Sequence, residues 1–302
     1  MIPQDMDILT IVLLIIAGLF IGTVAPMIGI GGGLVNVPLL IFVFGVGSSS
    51  DATLMSSISV FLTSSSASLN YFRKKRLDVR SGLIFAAVAI PGGILGGYLA
   101  QRVITDSDLI KLMFAFLIGF TALFNLYRNN RKQPEQSEEK VIEPTDPDTS
   151  FAKRIIRDVR KFKDSDGDVI EYEVRLGIGA IAIFFGGMLA GLLGVGGGII
   201  YVPTLSSISG LPFHIAAATS SFMIMFVVAF VLITRLSLYD GDILNILSYG
   251  LPLAIGSVIG ARLGSTHAKK VQSKTLKNIF WTIAFFAAIR MGYIPVQDLL
   301  SS

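Results

Sequence analysis

GIGGGLVNVPLL, residues 29–40, returns as GVGGGIIYVPTL at residues 194–205. Each copy places three consecutive glycines four residues ahead of a Val-Pro pair: Gly31–Gly33 before Val37-Pro38, and Gly196–Gly198 before Val202-Pro203. Two further landmarks follow at nearly the same interval. MSS at 55–57 answers TSS at 219–221, and Gly93-x-x-x-Gly97 answers Gly256-x-x-x-Gly260. The offset drifts only from 165 to 163 between the first and last landmarks, which marks an internal repeat. Three glycines in an apolar run work against a helix, each costing about 1 kcal/mol relative to alanine. They are expected to break it. Broken backbone at membrane depth survives only where protein buries it or where it lines a watery cavity.

The surroundings of the phrase are those of a membrane protein. The chain has 302 residues, of which 52% are hydrophobic and only 15% charged, too few charges to cover a soluble domain of this size. Ten apolar segments are expected in two sets of five: 8–28, 33–47, 52–72, 81–101 and 109–127, then 176–195, 197–209, 214–234, 243–263 and 276–294. The N-terminal stretch carries two aspartates and no basic residue, so it lacks the positive flank of a cleaved signal, and the first segment is expected to be retained. With no cysteine, disulfides and thiolate metal sites are excluded.

Lysine and arginine set the orientation. The loop 73–80, the central stretch 128–175 and the stretch 262–277 together hold 21 of the 25 basic residues. The remaining four are Arg102, Lys111, Arg235 and Arg290. By the positive-inside rule the basic loops are cytoplasmic and both termini lie outside. Five segments per half then force the second half into the membrane in the opposite sense. The expected fold is an all-α polytopic membrane protein of two inverted repeats, about five segments each, with broken or re-entrant helices at the glycine motifs. Its domains are residues 1–127, a cytoplasmic linker at 128–175, and residues 176–302.

The linker has its own pattern. VRKFKDSDGDVIEYEVR, residues 159–175, alternates around an Asp-Gly turn and predicts a β-hairpin. The acidic turn 164–168 does not fit a calcium loop, because its glycine precedes the third aspartate and no glutamate follows at the required place. Residues 129–150 read as a flexible lead-in.

Inverted repeats are a common plan for secondary transporters, whose substrate sites lie where the repeats meet. The N–H groups freed at a glycine break can form an anion nest, and the following half-helix presents its positive end there. The candidate substrate-binding residues are therefore Gly31, Gly32, Gly33, Asn36, Ser56 and Ser57 in the first half. Gly196, Gly197, Gly198, Tyr201, Thr219, Ser220 and Ser221 complete them in the second. All are neutral donors. The alternative for the hydroxyls is bonding to their own helix or a neighbour, and for the glycine triplets it is close helix packing; Gly93, Gly97, Gly256 and Gly260, at four-residue spacing, read as packing glycines.

Neither glycine motif continues as a P-loop or a dinucleotide fingerprint. Asp51, Asp78, Asp106 and Asp242 fall at segment ends, and no Asp or Glu falls inside a segment. That argues against a cation substrate. His214 reads as a boundary residue, and Arg290 as one that snorkels. No nucleophile–base arrangement, catalytic residue, metal site or cofactor is expected.

The paired motifs, each followed by MSS or TSS before another apolar helix, resemble the sulfite exporter TauE/SafE family across nearly the whole membrane part. The resemblance implies an integral membrane permease for sulfite, sulfoacetate or related organosulfur anions. It carries the binding role onto Gly31–Gly33, Asn36, Gly196–Gly198 and Tyr201. The expected partners are a small sulfur-containing anion and membrane lipids, without nucleic acid; a homo-oligomer is left open. An anion pore, or a membrane-anchored sensor acting through residues 128–175, are the alternatives to an alternating-access carrier.

Overall fold

The computed structural model describes residues 7–104, 106–130, 157–163, 169–175, 177, 179–268, 282 and 284–293. The chain is mostly helical. α1 (Ile8–Ile28), α2 (Gly33–Phe42), α3 (Ser49–Arg73), α4 (Val79–Arg102) and α5 (Ser107–Asn130) come first. An antiparallel hairpin follows, β1 (Arg157–Lys163) paired with β2 (Val169–Arg175) from Arg157 opposite Arg175 to Lys163 opposite Val169. Then come α6 (Ala180–Leu193), α7 (Gly198–Pro203) with a π-helical turn (Thr204–Ile208), α8 (Phe213–Ser237) and α9 (Ile243–His267). Residues 284–293 are again helical.

α1, α4, α8 and α9 are long and apolar enough to cross a membrane. Their 21 to 25 residues extend roughly 31–38 Å at the α-helical rise, against about 30 Å of hydrocarbon. α3 is equally long at 25 residues but carries nine serines, and it is kept in place by neighbours rather than by lipid. Ser59 Oγ donates to Ser257 Oγ at 3.1 Å, Ser66 Oγ to the Val258 carbonyl at 3.0 Å, and Asn70 Nδ2 to Ser265 Oγ at 2.7 Å. Each such bond between membrane helices contributes about 0.6 kcal/mol. Side-chain caps fix three helix starts: Ser48 accepts from the Asp51 N–H, Asp78 from Ser81, and Asp242 from Leu244.

Glycine stripes join the helices in two parallel pairs. From Gly256 through Gly260 to Gly264, α9 presses successively on Ile15, Leu19 and Thr23 of α1. On the other side Gly92 and Gly96 of α4 press on Phe184 and Met188 of α6, while Gly187 and Gly191 of α6 press on Ala89 and Gly93. A Cβ at any of these glycines would fall inside contact distance of its partner's backbone. Close backbone approach supplies the dispersion that lipid, being as apolar as the helices, does not otherwise drive. α3 and α8 pack on each other between these pairs.

One end of the molecule gathers the basic segments. Lys74 Nζ donates to the Thr266 carbonyl at 3.0 Å, and the Arg175 N–H to the Ser209 carbonyl at 3.0 Å. Tyr172 OH donates to Asp78 Oδ2 at 3.1 Å, so β2 docks on the start of α4. Arg102 and Asp240 meet at the opposite end.

One segment is shorter than expected. α2 stops at Phe42 rather than 47, and the chain turns at Gly45 with φ 68°. Its 10 residues cover about 15 Å, half a bilayer. The matching segment of the second half runs as expected, Gly198 to Ile208, but α7 loosens after Pro203 into the π turn, because proline lacks the N–H that would close the α-helical ladder. The acidic turn 164–168 lies outside the described residues, as does the lead-in beyond Asn130.

Candidate functional site

The glycine motifs are where two helices end and two half-length helices begin. α1 closes on Gly29 in the left-handed region (φ 81°), and α2 starts after Gly31 and Gly32 at φ 86° and 91°. α6 closes on Gly194 (φ 67°), and α7 starts after Gly196 and Gly197 at φ 85° and 78°. An L-residue in that region costs about 1–2 kcal/mol, so the consecutive pair in each copy requires glycine.

The two breaks touch each other reciprocally. A Cβ on Gly33 would strike the Gly194 carbonyl and Val195, and one on Gly198 would strike the Gly29 carbonyl and Ile30. Ser56 Oγ donates to the Gly194 carbonyl at 3.0 Å, and Ser220 Oγ to the Gly29 carbonyl at 2.8 Å. Val60 and Ile224 flank both Gly31 and Gly196. Each serine thus ties the opposite half's break to its own long helix.

The remaining predicted residues gather here with different duties. Ser57 and Ser221 bond back to the carbonyls of Thr53 and Ala217 at 2.8 and 3.1 Å. Thr219 Oγ1 accepts from the Asp78 N–H at 3.3 Å. Five hydroxyls at the site therefore serve the protein's own backbone. Asn36 and Tyr201 stand apart. They are buried at 1% and 0% exposure, and Asn36 Oδ1 and Tyr201 OH have no partner among the described residues. Both lean over the left-handed glycine of their own motif: Asn36 Nδ2 beside Gly32, the Tyr201 ring and hydroxyl beside Gly197. Among the described residues, the N–H groups of Gly31, Gly32, Gly196 and Gly197 donate to no backbone carbonyl. The arrangement offers neutral donors around two helix starts, suited to oxyanion oxygens.

Arg235 is the residue that sequence reasoning missed. It is fully buried, and its Nη2 donates to Thr53 Oγ1 at 2.8 Å and to the Ser50 carbonyl at 3.0 Å. A signal existed. Ile224, Val228, Val231 and Arg235 follow one another at helical spacing, which puts Arg235 on the enclosed face of α8. Beyond the end of α8, Tyr239 donates to Asp51 Oδ1 at 3.0 Å; burial and the neighbouring carboxylates of Asp51 and Asp242 push its phenol up to about 12. Arg290 lies over the Phe42 ring at 5.1 Å.

Comparison with known proteins agrees with this architecture. A sequence model of the sulfite exporter TauE/SafE family matches residues 14–291. A Bacillus subtilis protein named "Probable membrane transporter protein YunE" is 28% identical over 297 residues, covering 94% of this chain and 98% of the relative. "Probable membrane transporter protein MJ0441" of Methanocaldococcus jannaschii is 24% identical over 274 residues, 88% of this chain and 89% of the relative. "Sulfite exporter TauE/SafE family protein 5" of Arabidopsis thaliana is 41% identical over 64 residues, 21% of this chain and 14% of the relative. No solved structure matches. A family match over almost the full length, on a helical fold with four membrane-capable helices, makes this chain a multi-pass membrane transporter protein of the sulfite exporter TauE/SafE family.

Proposed function

We propose that the chain carries small sulfur-containing anions, sulfite or an organosulfonate, across the plasma membrane by alternating access between two inverted five-segment repeats. The observation that carries this reading is the reciprocal meeting of the glycine breaks. Gly33 lies against Gly194 as Gly198 lies against Gly29, and Ser56 serves Gly194 as Ser220 serves Gly29. Transporters built from inverted repeats bind substrate at such a meeting point. The donors on offer there are backbone N–H groups of Gly31–Gly33 and Gly196–Gly198, with Asn36 and Tyr201 beside them. An oxyanion can share its charge among such groups without a strong counterion. The hydroxyls of Ser56 and Ser220 hold the two breaks in register, and with Ser57, Thr219 and Ser221 they complete the shell when the breaks part.

The glycine stripes supply the moving bodies. α1 is fastened to α9 and α6 to α4, so each body joins the first helix of one repeat to the fourth helix of the other. Rocking one pair against the other opens the breaks to alternate sides. The end bearing the hairpin, Lys74 and the close of α9 faces the cytoplasm and its anionic lipid headgroups; both termini lie outside. The family description names sulfite, and it supports the substrate class rather than a particular anion.

The test is flux of radiolabelled sulfite into proteoliposomes holding the full chain. Saturable uptake, accelerated by unlabelled sulfite inside, is expected; linear flux without counterflow would make the protein a pore. Gly32→Ala sets its methyl against the Ile21 side chain, which must give by a few tenths of an ångström, and strains the backbone by about 1–2 kcal/mol. It is expected to cut uptake at least tenfold in protein that remains monodisperse. Wild-type uptake by that variant would refute the site.

A further inference from the structure

Arg235 brings a full positive charge into the outer part of the helical bundle with no carboxylate in ion-pair contact among the described residues. Its side chain is 0% exposed. A guanidinium carries five N–H donors, and only Nη2 is engaged, with the Ser50 carbonyl, Ser50 Oγ and Thr53 Oγ1. Nε and Nη1 are buried and have no acceptor among the described residues. Asp51 lies near enough to act on the charge, yet it makes no ion pair with Arg235 among the described residues, and its Oδ1 accepts from Tyr239 instead. A buried charge left uncompensated is among the most costly arrangements in a protein, and an ionisable group inside a membrane marks a functional site by default.

The neighbours are deficient in the same way. Gln101 Oε1 accepts from Ser50 Oγ at 3.2 Å, while its Nε2 is buried and has no acceptor among the described residues. The unengaged groups of this cluster (Arg235 Nε, Arg235 Nη1 and Gln101 Nε2) are therefore all donors. What would satisfy them together is an acceptor carrying negative charge and several oxygens. Gly97 of α4 makes the space, because a Cβ there would press on Arg235 Cγ. The cluster also adjoins the candidate site. Thr53 accepts from Arg235 through Oγ1, and its carbonyl lies against Gly194 at the second glycine break.

We propose that Arg235, with Gln101, Ser50 and Thr53, forms a second binding site for a small oxyanion at the outer approach to the Gly194 break. The geometry argues for the charge and the oxygens; that the ion is sulfite rests on the transport reading above. The site receives the anion between the ends of α3, α4 and α8 and hands it to the neutral donors one turn of α3 deeper. Position 71, the counterpart of Arg235 in the first half, is a tyrosine whose hydroxyl donates to the Pro26 carbonyl at 2.9 Å. Among the described residues, the first-half counterpart therefore carries no such charged site.

The experiment is equilibrium binding of radiolabelled sulfite to the full chain in lipid nanodiscs, with thermal unfolding followed in parallel at matched ionic strength. Wild type is expected to bind sulfite and to unfold at a higher temperature in its presence. Arg235→Gln is expected to weaken binding roughly 10- to 100-fold and to lose the thermal response. Arg235→Lys, which keeps the charge, should fall between them. Wild-type affinity in Arg235→Gln, or displacement by chloride as readily as by sulfite, would overturn the proposal. Absence of binding to wild type would do the same. If Arg235→Gln does not fold, Thr53→Val and Gln101→Leu decide the matter: each should weaken binding several-fold, and unchanged binding in both refutes the site. The two readings fail separately. Arg235-dependent binding without flux leaves this site standing and removes the carrier, whereas sulfite flux indifferent to Arg235→Gln, with unchanged binding, does the reverse.

Discussion

The contact between the breaks makes a quantitative demand on Gly33 and Gly198. A methyl on Gly33 would meet the Gly194 carbonyl and the Val195 backbone, and one on Gly198 the Gly29 carbonyl and Ile30. The obstacle in both cases is backbone, which cannot swing aside as a side chain does. Overpacking of this kind costs about 1–3 kcal/mol, and backbone obstruction belongs near the top of that range. Both residues open a helix, so alanine returns up to about 1 kcal/mol of helix propensity. The net expectation is a loss of about 1–2 kcal/mol for Gly33→Ala and a similar loss for Gly198→Ala. Because the two contacts brace the same crossing, parting the breaks for the first methyl makes room for the second. The double variant should therefore lose less than the sum of the singles, by at least about 0.5 kcal/mol. Gly47→Ala is the control. Nothing lies within 4 Å of its added Cβ, and it should be neutral or stabilising by about 0.4–1 kcal/mol. Equilibrium unfolding in mixed micelles, followed by circular dichroism, measures all four. Neutral single variants, or strict additivity in the double, would mean that the breaks do not brace one another.

Two further expectations concern the packing around this crossing. Ser59→Ala and Ser257→Ala remove the same hydrogen bond; each should cost about 0.6 kcal/mol, and the double should cost little more than either alone in the same unfolding assay. Tyr172→Phe deletes the hairpin's donor to the Asp78 carboxylate, a bond of about 1.5–3 kcal/mol when one partner is charged. Limited proteolysis should cut the β2 region faster in that variant, and an unchanged cleavage rate would refute the docking.

How far the sequence could be read depended on which interactions were local. Apolar runs and the glycine phrase place the helices and their interruptions, since hydropathy and backbone freedom act within a few residues. The end of α2 and the π turn after α7 were less legible. Gly45 and Pro203 decide them, and their effect depends on what the next residues can bond to. Asn36 and Tyr201 could be named as candidates because they occupy matching places beside the glycines. The duty of Ser56 and Ser220 could not be named, because their acceptors are carbonyls 138 and 191 residues away. Arg235 escaped for a different reason. An arginine near a helix end ordinarily snorkels to the interface, and only the spacing of Ile224, Val228 and Val231 before it indicates that its face is enclosed.

The two ends of the molecule are built from matching helices but finished with different chemistry. α3 and α8 are both 25 residues long, and their last turns bear Tyr71 and Arg235. Tyr71 returns its hydroxyl to the protein through Pro26, whereas Arg235 keeps donors unspent. The N-capping aspartates differ in the same manner. Asp242 caps α9 at an exposed end, while Asp78 is buried under Tyr172 of the hairpin, and Val174 beside it is fully enclosed. A two-fold arrangement of helices would present the same barrier and the same affinity to both sides of a membrane. The unpaired guanidinium at one end and the docked hairpin at the other break that equivalence. On the transport reading proposed above, an anion would meet an attracting charge on entering from the Arg235 side and the docked hairpin at the opposite end. Such asymmetry biases how readily each face loads. It leaves the net direction of transport to the anion gradient or to a coupled ion, because a binding site alone cannot drive a flux.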